Sequence, residues 1–217
     1  MTNDQMQGSL IIISAPSGAG KTTIVSEVLR RLADVRASVS YTSRAPREGE
    51  EHSKHYHFVT RAEFEAMIGR NELLEWAEVH GNLYGTSRVY VNQLLDSGLD
   101  VILTIDVQGA ALIRKDFPEA VTVFVLPPSY DAMLDRLHLR DAGKTDGLEL
   151  RLHNAEAEVA QYEFYDYLIV NDDLEQAIQE FAAIILAERC RRQKRAATAE
   201  NILDHFREHF RRKKINA

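Results

Sequence analysis

The chain has 217 residues, 45% of them hydrophobic and 27% charged, which suits one compact α/β domain or at most two small ones and argues against disorder. Its formal charge of −7 is uneven: residues 187–217 carry ten Lys/Arg and four Asp/Glu, a net of +6, leaving −13 on the remainder. An acidic body excludes general nucleic-acid binding, no apolar run approaches the ~20 residues of a membrane span, and a single cysteine, Cys190, excludes an intrachain disulfide or a cysteine metal cluster.

The start, Met1 to Ser9, is polar and lacks a basic segment followed by an apolar stretch, so a cytoplasmic protein with no membrane partner is expected. Leu10–Ile13 is a short apolar run of the buried parallel-strand type. A glycine loop from Ala15 to Gly20 follows, and beyond Lys21 the residues Ile24, Val25, Val28, Leu29 and Leu32 recur at helical spacing. The segment from Ala37 to about Tyr90 is polar, aromatic and basic, with short strands predicted at Tyr56–Val59 and Leu73–His80, and it reads as an inserted lobe. Helices are predicted at Arg88–Leu95, Ser129–Leu139, Leu148–Tyr162 and Leu174–Leu186, alternating with strands at Val101–Ile105, Val121–Leu126 and Leu168–Val170. That alternation predicts a largely parallel sheet covered on both faces. Asp141–Gly147 predicts a mobile loop between helices. Asn201–Lys214 predicts a helix with Ile202, Leu203, Phe206 and Phe210 on one side, a stripe that packs on the body or on another subunit and so leaves a homo-oligomer open. The basic charge of this tail reads as a solvated helix face, with contact to RNA or an acidic neighbour as the alternative.

Ser17-Gly18-Ala19-Gly20-Lys21-Thr22 matches the second half of the G-x-x-x-x-G-K-[ST] phosphate loop, with Ala15 in place of the first glycine. Glycines let successive N–H groups approach phosphate oxygens, and the following helix directs its N-terminus at the same anion. Lys21 is then placed to bridge the β- and γ-phosphates, and the Thr22 hydroxyl to ligate Mg²⁺. An ATP-binding stretch running from Ala15 and Pro16 through Thr23 is expected.

Further along, Arg44 and Arg47 stand three apart around a proline turn, with Tyr56 and Tyr84 beyond them. Guanidinium groups grip phosphate bidentately and tyrosine hydroxyls complete such a site. Glu75 offers a carboxylate that only accepts hydrogen bonds, although on its own it also reads as an exposed strand residue. Trp76 is assigned to packing, and His52, His55 and His57 to the surface, because no histidine shows metal-ligand spacing. Arg136 and Arg140, four apart on a helix, have a solvated face as their alternative reading on spacing alone.

Ser14–Thr22, Ser38–Glu50, Leu74–Ala77, Gly81–Thr86, Ile105–Gly109 and Val170–Asp173 together resemble the guanylate kinase family from about residue 10 to about residue 190. The resemblance implies a P-loop kinase core with a central parallel sheet flanked by helices (8–36, 91–135 and 154–190), a GMP-binding lobe (37–90), a mobile lid (136–153) and a basic helical extension (191–217). It implies ATP and GMP as substrates, with Mg²⁺. Arg44, Arg47, Tyr56 and Tyr84 match the residues that hold the GMP phosphate. Glu75 matches the carboxylate at the guanine edge, assisted by Ser40, Gly85, Thr86 and Asp106. Arg136, Arg140 and Arg151 match positions around the transferred phosphoryl group, so that Lys21, Arg44, Arg140 and Arg151 are the expected catalytic set, and Asn171 matches a residue near adenine. Thr104 stands where the family often has an acid two residues before Asp106, and Asp141 stands where a lid glycine is expected. Two other readings compete: a phosphopeptide-binding module of guanylate-kinase type, which the intact Gly18–Thr22 disfavours, and a sugar-phosphate kinase, which the guanine-reading residues disfavour.

Overall fold

The structure is a computed structural model that describes residues 7–47, 49–79, 81–140 and 155–215. The predicted loop Asp141–Gly147 and Arg151 lie outside the described residues, as does the Arg140 side chain.

Five parallel strands form the main sheet: β1 (Leu10–Ser14), β2 (Val35–Ala37), β7 (Asp100–Thr104), β8 (Val121–Leu126) and β9 (Tyr167–Val170), in the order β2-β7-β1-β8-β9. Every residue of β1 is buried, because both faces of a parallel sheet are covered. Strand alternation divides its side chains between two cores. Ile11 and Ile13 enter one core, with Ile24, Val25 and Val28 of α1 (Lys21–Arg31) and Ala177, Ile178 and Phe181 of α7 (Leu174–Arg189). Leu10 and Ile12 enter the other, with Val91 and Leu95 of α3 (Arg88–Asp96) and Ala110 and Ile113 of α4 (Val107–Asp116). Ser87, Asp106 and Asp173 cap α3, α4 and α7 by accepting backbone N–H bonds, which fixes where each helix starts.

A second sheet lies between β2 and α3, ordered β4-β3-β6-β5: β3 (Tyr41–Thr42), β4 (His57–Phe58), β5 (Leu73–Val79) and β6 (Asn82–Ser87). Helix α2 (Arg61–Gly69) backs it with Phe64 and Met67, packed on Leu73 and Leu83. Sequence periodicity missed α2, but a signal was present. Thr60 and Glu63 form a reciprocal capping box, which the T-x-x-E spacing announces. Helix α4 was missed as well, being short with a narrow apolar stripe.

Strand β5 carries a bulge: Leu73 pairs with Ser87 and Glu75 with Thr86, leaving Leu74 as the extra residue. Three successive side chains therefore reach three places. Leu73 joins the lobe core, Leu74 the main core, and Glu75 the hydroxyl of Thr86.

Helix α5 (Tyr130–Arg140) precedes the undescribed stretch; residues 155–159 (α6) and a 3-10 turn, Ala160–Phe164, follow it. The last helix, α8 (Arg192–Ile215), begins nine residues before the predicted Asn201. Lys194 anchors it through a 2.8 Å bond to Ser9, while Ile202, Leu203, Phe206 and Phe210 are all exposed. Among the described residues no helix is long and apolar enough to cross a membrane.

Phe181 has no exposed surface and ties α7 to β1 through the core. Phe181→Ala is expected to cost about 3–5 kcal/mol of unfolding free energy, measured by urea denaturation.

Candidate active site

Strand β1 ends at Ser14, and the chain turns through two glycines in the left-handed region, Gly18 at φ 86° and Gly20 at φ 91°. Ala15 is not among the residues with positive φ, so a side chain is tolerated where the phosphate-loop pattern has its first glycine. Gly20 caps α1 without a side-chain bond, leaving the helix N-terminus open to an anion. A Cβ on Gly20 would lie 2.2 Å from Asn171 Nδ2, and that amide donates to the Ala19 carbonyl at 2.7 Å. The loop and Asn171 thus interlock.

The loop borders a cleft of about 520 Å³, lined by Ala15 to Gly18, Gly20 to Thr23, Arg136 and Asn171. Arg136 Nη2 donates to the Asn171 carbonyl at 3.0 Å. Arg136 Nη1 and Asn171 Oδ1 are buried in the same cleft with no partner among the described residues, one donor and one acceptor left for a ligand. Lys21 Nζ donates to the Ile105 carbonyl at 3.2 Å. Burial lowers the pKa of its ammonium to about 8, against the opposing pull of Asp106 and Glu158.

Glu158 was missed in the sequence, where it stands as one of several acids in a helical pattern. It accepts from the Ser17 N–H and flanks Lys21 and Asp106; burial is the main cause raising its carboxyl.

Across from the loop, Glu75 Oε1 accepts from the Thr86 hydroxyl at 2.7 Å. Burial pushes the Glu75 carboxyl up, the Thr86 bond opposes this, and the Asp106 charge adds to it. Asp106 Oδ1 accepts from the Gly109 N–H at 2.8 Å, and Glu75 Oε2 and Asp106 Oδ1 both lie 3.5 Å from the position a Cβ on Gly109 would take. Two carboxylates therefore meet at the start of α4.

Arg44 donates to Glu50 at 2.9 Å and to the Ala45 carbonyl at 2.7 Å, and its guanidinium stands 5.6 Å from the Tyr56 ring centre. Its Nε is buried with no partner. Glu50 was also missed; besides Arg44, it accepts from the Arg47 backbone N–H at 2.8 Å and closes the turn. The rings of Tyr56 and Tyr84 meet edge to face with centres 6.0 Å apart, and the Tyr84 hydroxyl reaches Arg44. Tyr84 and Thr86 alternate on β6 and so share a face, about 7 Å apart. Arg44, Tyr56, Tyr84, Thr86 and Glu75 consequently converge on one side of the small sheet.

Ser40 precedes Tyr41, the partner of Gly85, so its register position is opposite Thr86 on that same face. The Arg47 side chain is exposed, and its charge reaches both Tyr56 and Glu50. Ser40 contributes a carbonyl that accepts from the His57 N–H at 2.9 Å. Gly85 faces the opposite side, where a Cβ would come within 3.0 Å of Phe64, so its smallness serves packing. Trp76 also points that way and is 45% exposed rather than packed, bordering a second cleft with Leu112 and Asp116 of α4. His52 and His55 accept backbone N–H bonds and His57 stacks on Tyr41.

The Arg44 bond, followed by the Arg47 backbone bond, lowers the Glu50 pKa to about 2. A depressed carboxyl contributes stability that is present above its unfolded pKa and lost as pH falls towards the folded value. Glu50→Gln is expected to lower the melting temperature at neutral pH, with the gap to the parent closing between pH 4.5 and about 2; thermal melts across that range measure it.

The family model described as guanylate kinase matches residues 7–188. A guanylate kinase of Vibrio parahaemolyticus is 46% identical over 200 residues, covering 91% of this chain and 97% of that protein. One from Aromatoleum aromaticum is 50% identical over 186 residues, covering 86% and 91%. The crystal structure of guanylate kinase from Anaplasma phagocytophilum superposes with a TM-score of 0.69 at 33% identity, covering 86% of this chain and 88% of that one. With its phosphate loop, its carboxylate–hydroxyl pair and these likenesses taken together, the chain belongs to the guanylate kinase family.

Proposed function

We propose that the chain transfers the γ-phosphoryl group of ATP to GMP, giving ADP and GDP. The observation that carries this reading is the shared sheet face on which Glu75 and Thr86 stand beside Arg44, Tyr56 and Tyr84. Guanine offers N1–H and an exocyclic amine as donors and O6 as an acceptor. A carboxylate paired with a hydroxyl is complementary to that edge, while the unprotonated N1 of AMP meets the carboxylate as a second acceptor. Sites built on such bonds reject analogues lacking them by about 10⁴-fold or more. Arg44, with its unspent Nε, and the two tyrosines hold the monophosphate.

ATP lies with its phosphates in the Gly18–Thr22 loop and its base towards Asn171. Lys21 exchanges the Ile105 carbonyl for the β- and γ-oxygens, and the lid arginines Arg136, Arg140 and Arg151 surround the moving phosphoryl group. Transfer is direct and in line, because the GMP phosphate is already an anionic nucleophile and requires positioning rather than a base. Closure of the lobe over residues 37–90 and the lid over 136–153 excludes water from the reacting phosphates.

Hard oxygen donors, the Thr22 hydroxyl and the Asp106 carboxylate, suit Mg²⁺. No group of three or more His/Cys/Asp/Glu able to hold a metal ion occurs among the described residues. When bound, Mg²⁺ neutralises charge between the β- and γ-phosphates. Thr104, exposed at the end of β7, adds a hydroxyl there rather than a second charge.

A coupled assay of ADP formation with GMP, dGMP, AMP, CMP and UMP tests the assignment. GMP is expected to lead with dGMP close behind, and AMP turnover equal to GMP turnover contradicts it. Lys21→Met is expected to lower kcat about 100-fold or more while GMP binding persists. Glu75→Gln is expected to raise KM for GMP about 10- to 100-fold. Because Glu75 titrates above the usual 4.5, GMP affinity in the parent is expected to fall on acidification before an ordinary glutamate would protonate, a dependence absent from Glu75→Gln.

A further inference from the structure

Helix α8 leaves the body soon after it starts. Lys194 donates to the Ser9 hydroxyl at 2.8 Å and Arg195 to the Arg189 carbonyl at 3.1 Å, both from its first turn. From Thr198 to Arg211 every residue is exposed, so the apolar stripe does not pack on the chain's own body. Phe206 and Phe210 are each 59% exposed, with Ile202 and Leu203 beside them. A helix of about four free turns, held at one end, is marginal in water, and a contiguous exposed apolar stripe marks an interaction surface.

The stripe has the pattern of a coiled-coil seam. Ala196, Ala199, Leu203, Phe206 and Phe210 recur at alternating spacings of three and four, which sets them along one line of the helix. Glu200 and Arg207 stand one heptad apart on the same flank of that line, and Arg207 also holds Asp204 at 2.9 Å. Reversed, this pattern is complementary to itself. Two such helices set antiparallel bring Leu203 against Phe206 of the other copy, and Ala199 against Phe210, a small residue opposite a large one. The same register sets Glu200 of each helix beside Arg207 of the other, twice by symmetry. It also carries the basic stretch at 211–214 towards the root of the opposite helix and the acidic body there. Residues 187–217 total +6 against −13 on the remainder. A parallel pair would instead bring the two basic stretches together.

We propose that α8 is a dimerisation helix, its apolar stripe pairing antiparallel with α8 of a second copy of this chain. This surface is independent of the phosphoryl-transfer site.

Sedimentation equilibrium of the full chain, across about 1 to 100 µM to suit a small interface, tests it. The parent is expected to be dimeric at the upper end and Phe206→Glu monomeric throughout. Glu200→Arg and Arg207→Glu are each expected to raise the dissociation constant about tenfold or more, by setting like charges together. The double variant is expected to return to the parent's value, which also shows that the helix is kept. A parent monomeric over the whole range overturns the dimer, as does an assembly that survives Phe206→Glu. Failure of either single charge reversal to weaken the dimer, or of the double reversal to restore it, overturns the antiparallel register.

Discussion

One buried amide holds the phosphate-binding end of this protein in shape. Asn171, at the exit of β9, donates to the Ala19 carbonyl, and its approach leaves no room for a side chain on Gly20. Around that bond the loop closes on itself, the Ala19 N–H donating to the Pro16 carbonyl at 3.2 Å. Through its own carbonyl, Asn171 also fixes Arg136 of α5. The outer edge of the sheet, the loop and the helix that leads into the predicted lid therefore share one polar node. Losing the Asn171 bond would strand the buried Ala19 carbonyl at a cost of about 1–3 kcal/mol.

The opposing half of the site depends on a backbone irregularity. A regular strand would send Leu73 and Glu75 to the same face. The extra residue at Leu74 breaks that parity, giving a hydrophobic side chain to each of two cores and the carboxylate to the cleft. Bulges near active sites commonly re-aim a side chain. Here the same device welds the small sheet to the main core beside the recognition residue. Arg88 reinforces the junction by donating to the Leu73 carbonyl at 3.3 Å and to Asp116 at 2.8 Å.

Much of this was legible from residues alone, and the failures have physical causes. The buried run Leu10–Ile13 and the glycine loop announce β1 and the start of α1, since continuous burial and positive φ leave strong marks in composition. Helices α2 and α4 escaped the periodicity, although each opens on a side-chain cap, Thr60 and Asp106. Glu158 escaped for another reason. Its partners, Ser17, Lys21 and Asp106, are distant in the chain and leave no local pattern. Gly85 is legible from a matching motif, and the structure adds why no side chain fits there: a Cβ would come 3.0 Å from Phe64.

Trp76 is the only tryptophan in the chain, and it follows Glu75 directly while pointing to the other side of β5. Its indole borders the seam with α4, half in solvent. Indole emission responds to local polarity, so any rearrangement of that seam alters the signal from one chromophore with no background from others. The protein thus has a built-in optical gauge, one residue from its recognition carboxylate and outside the pocket it would report on.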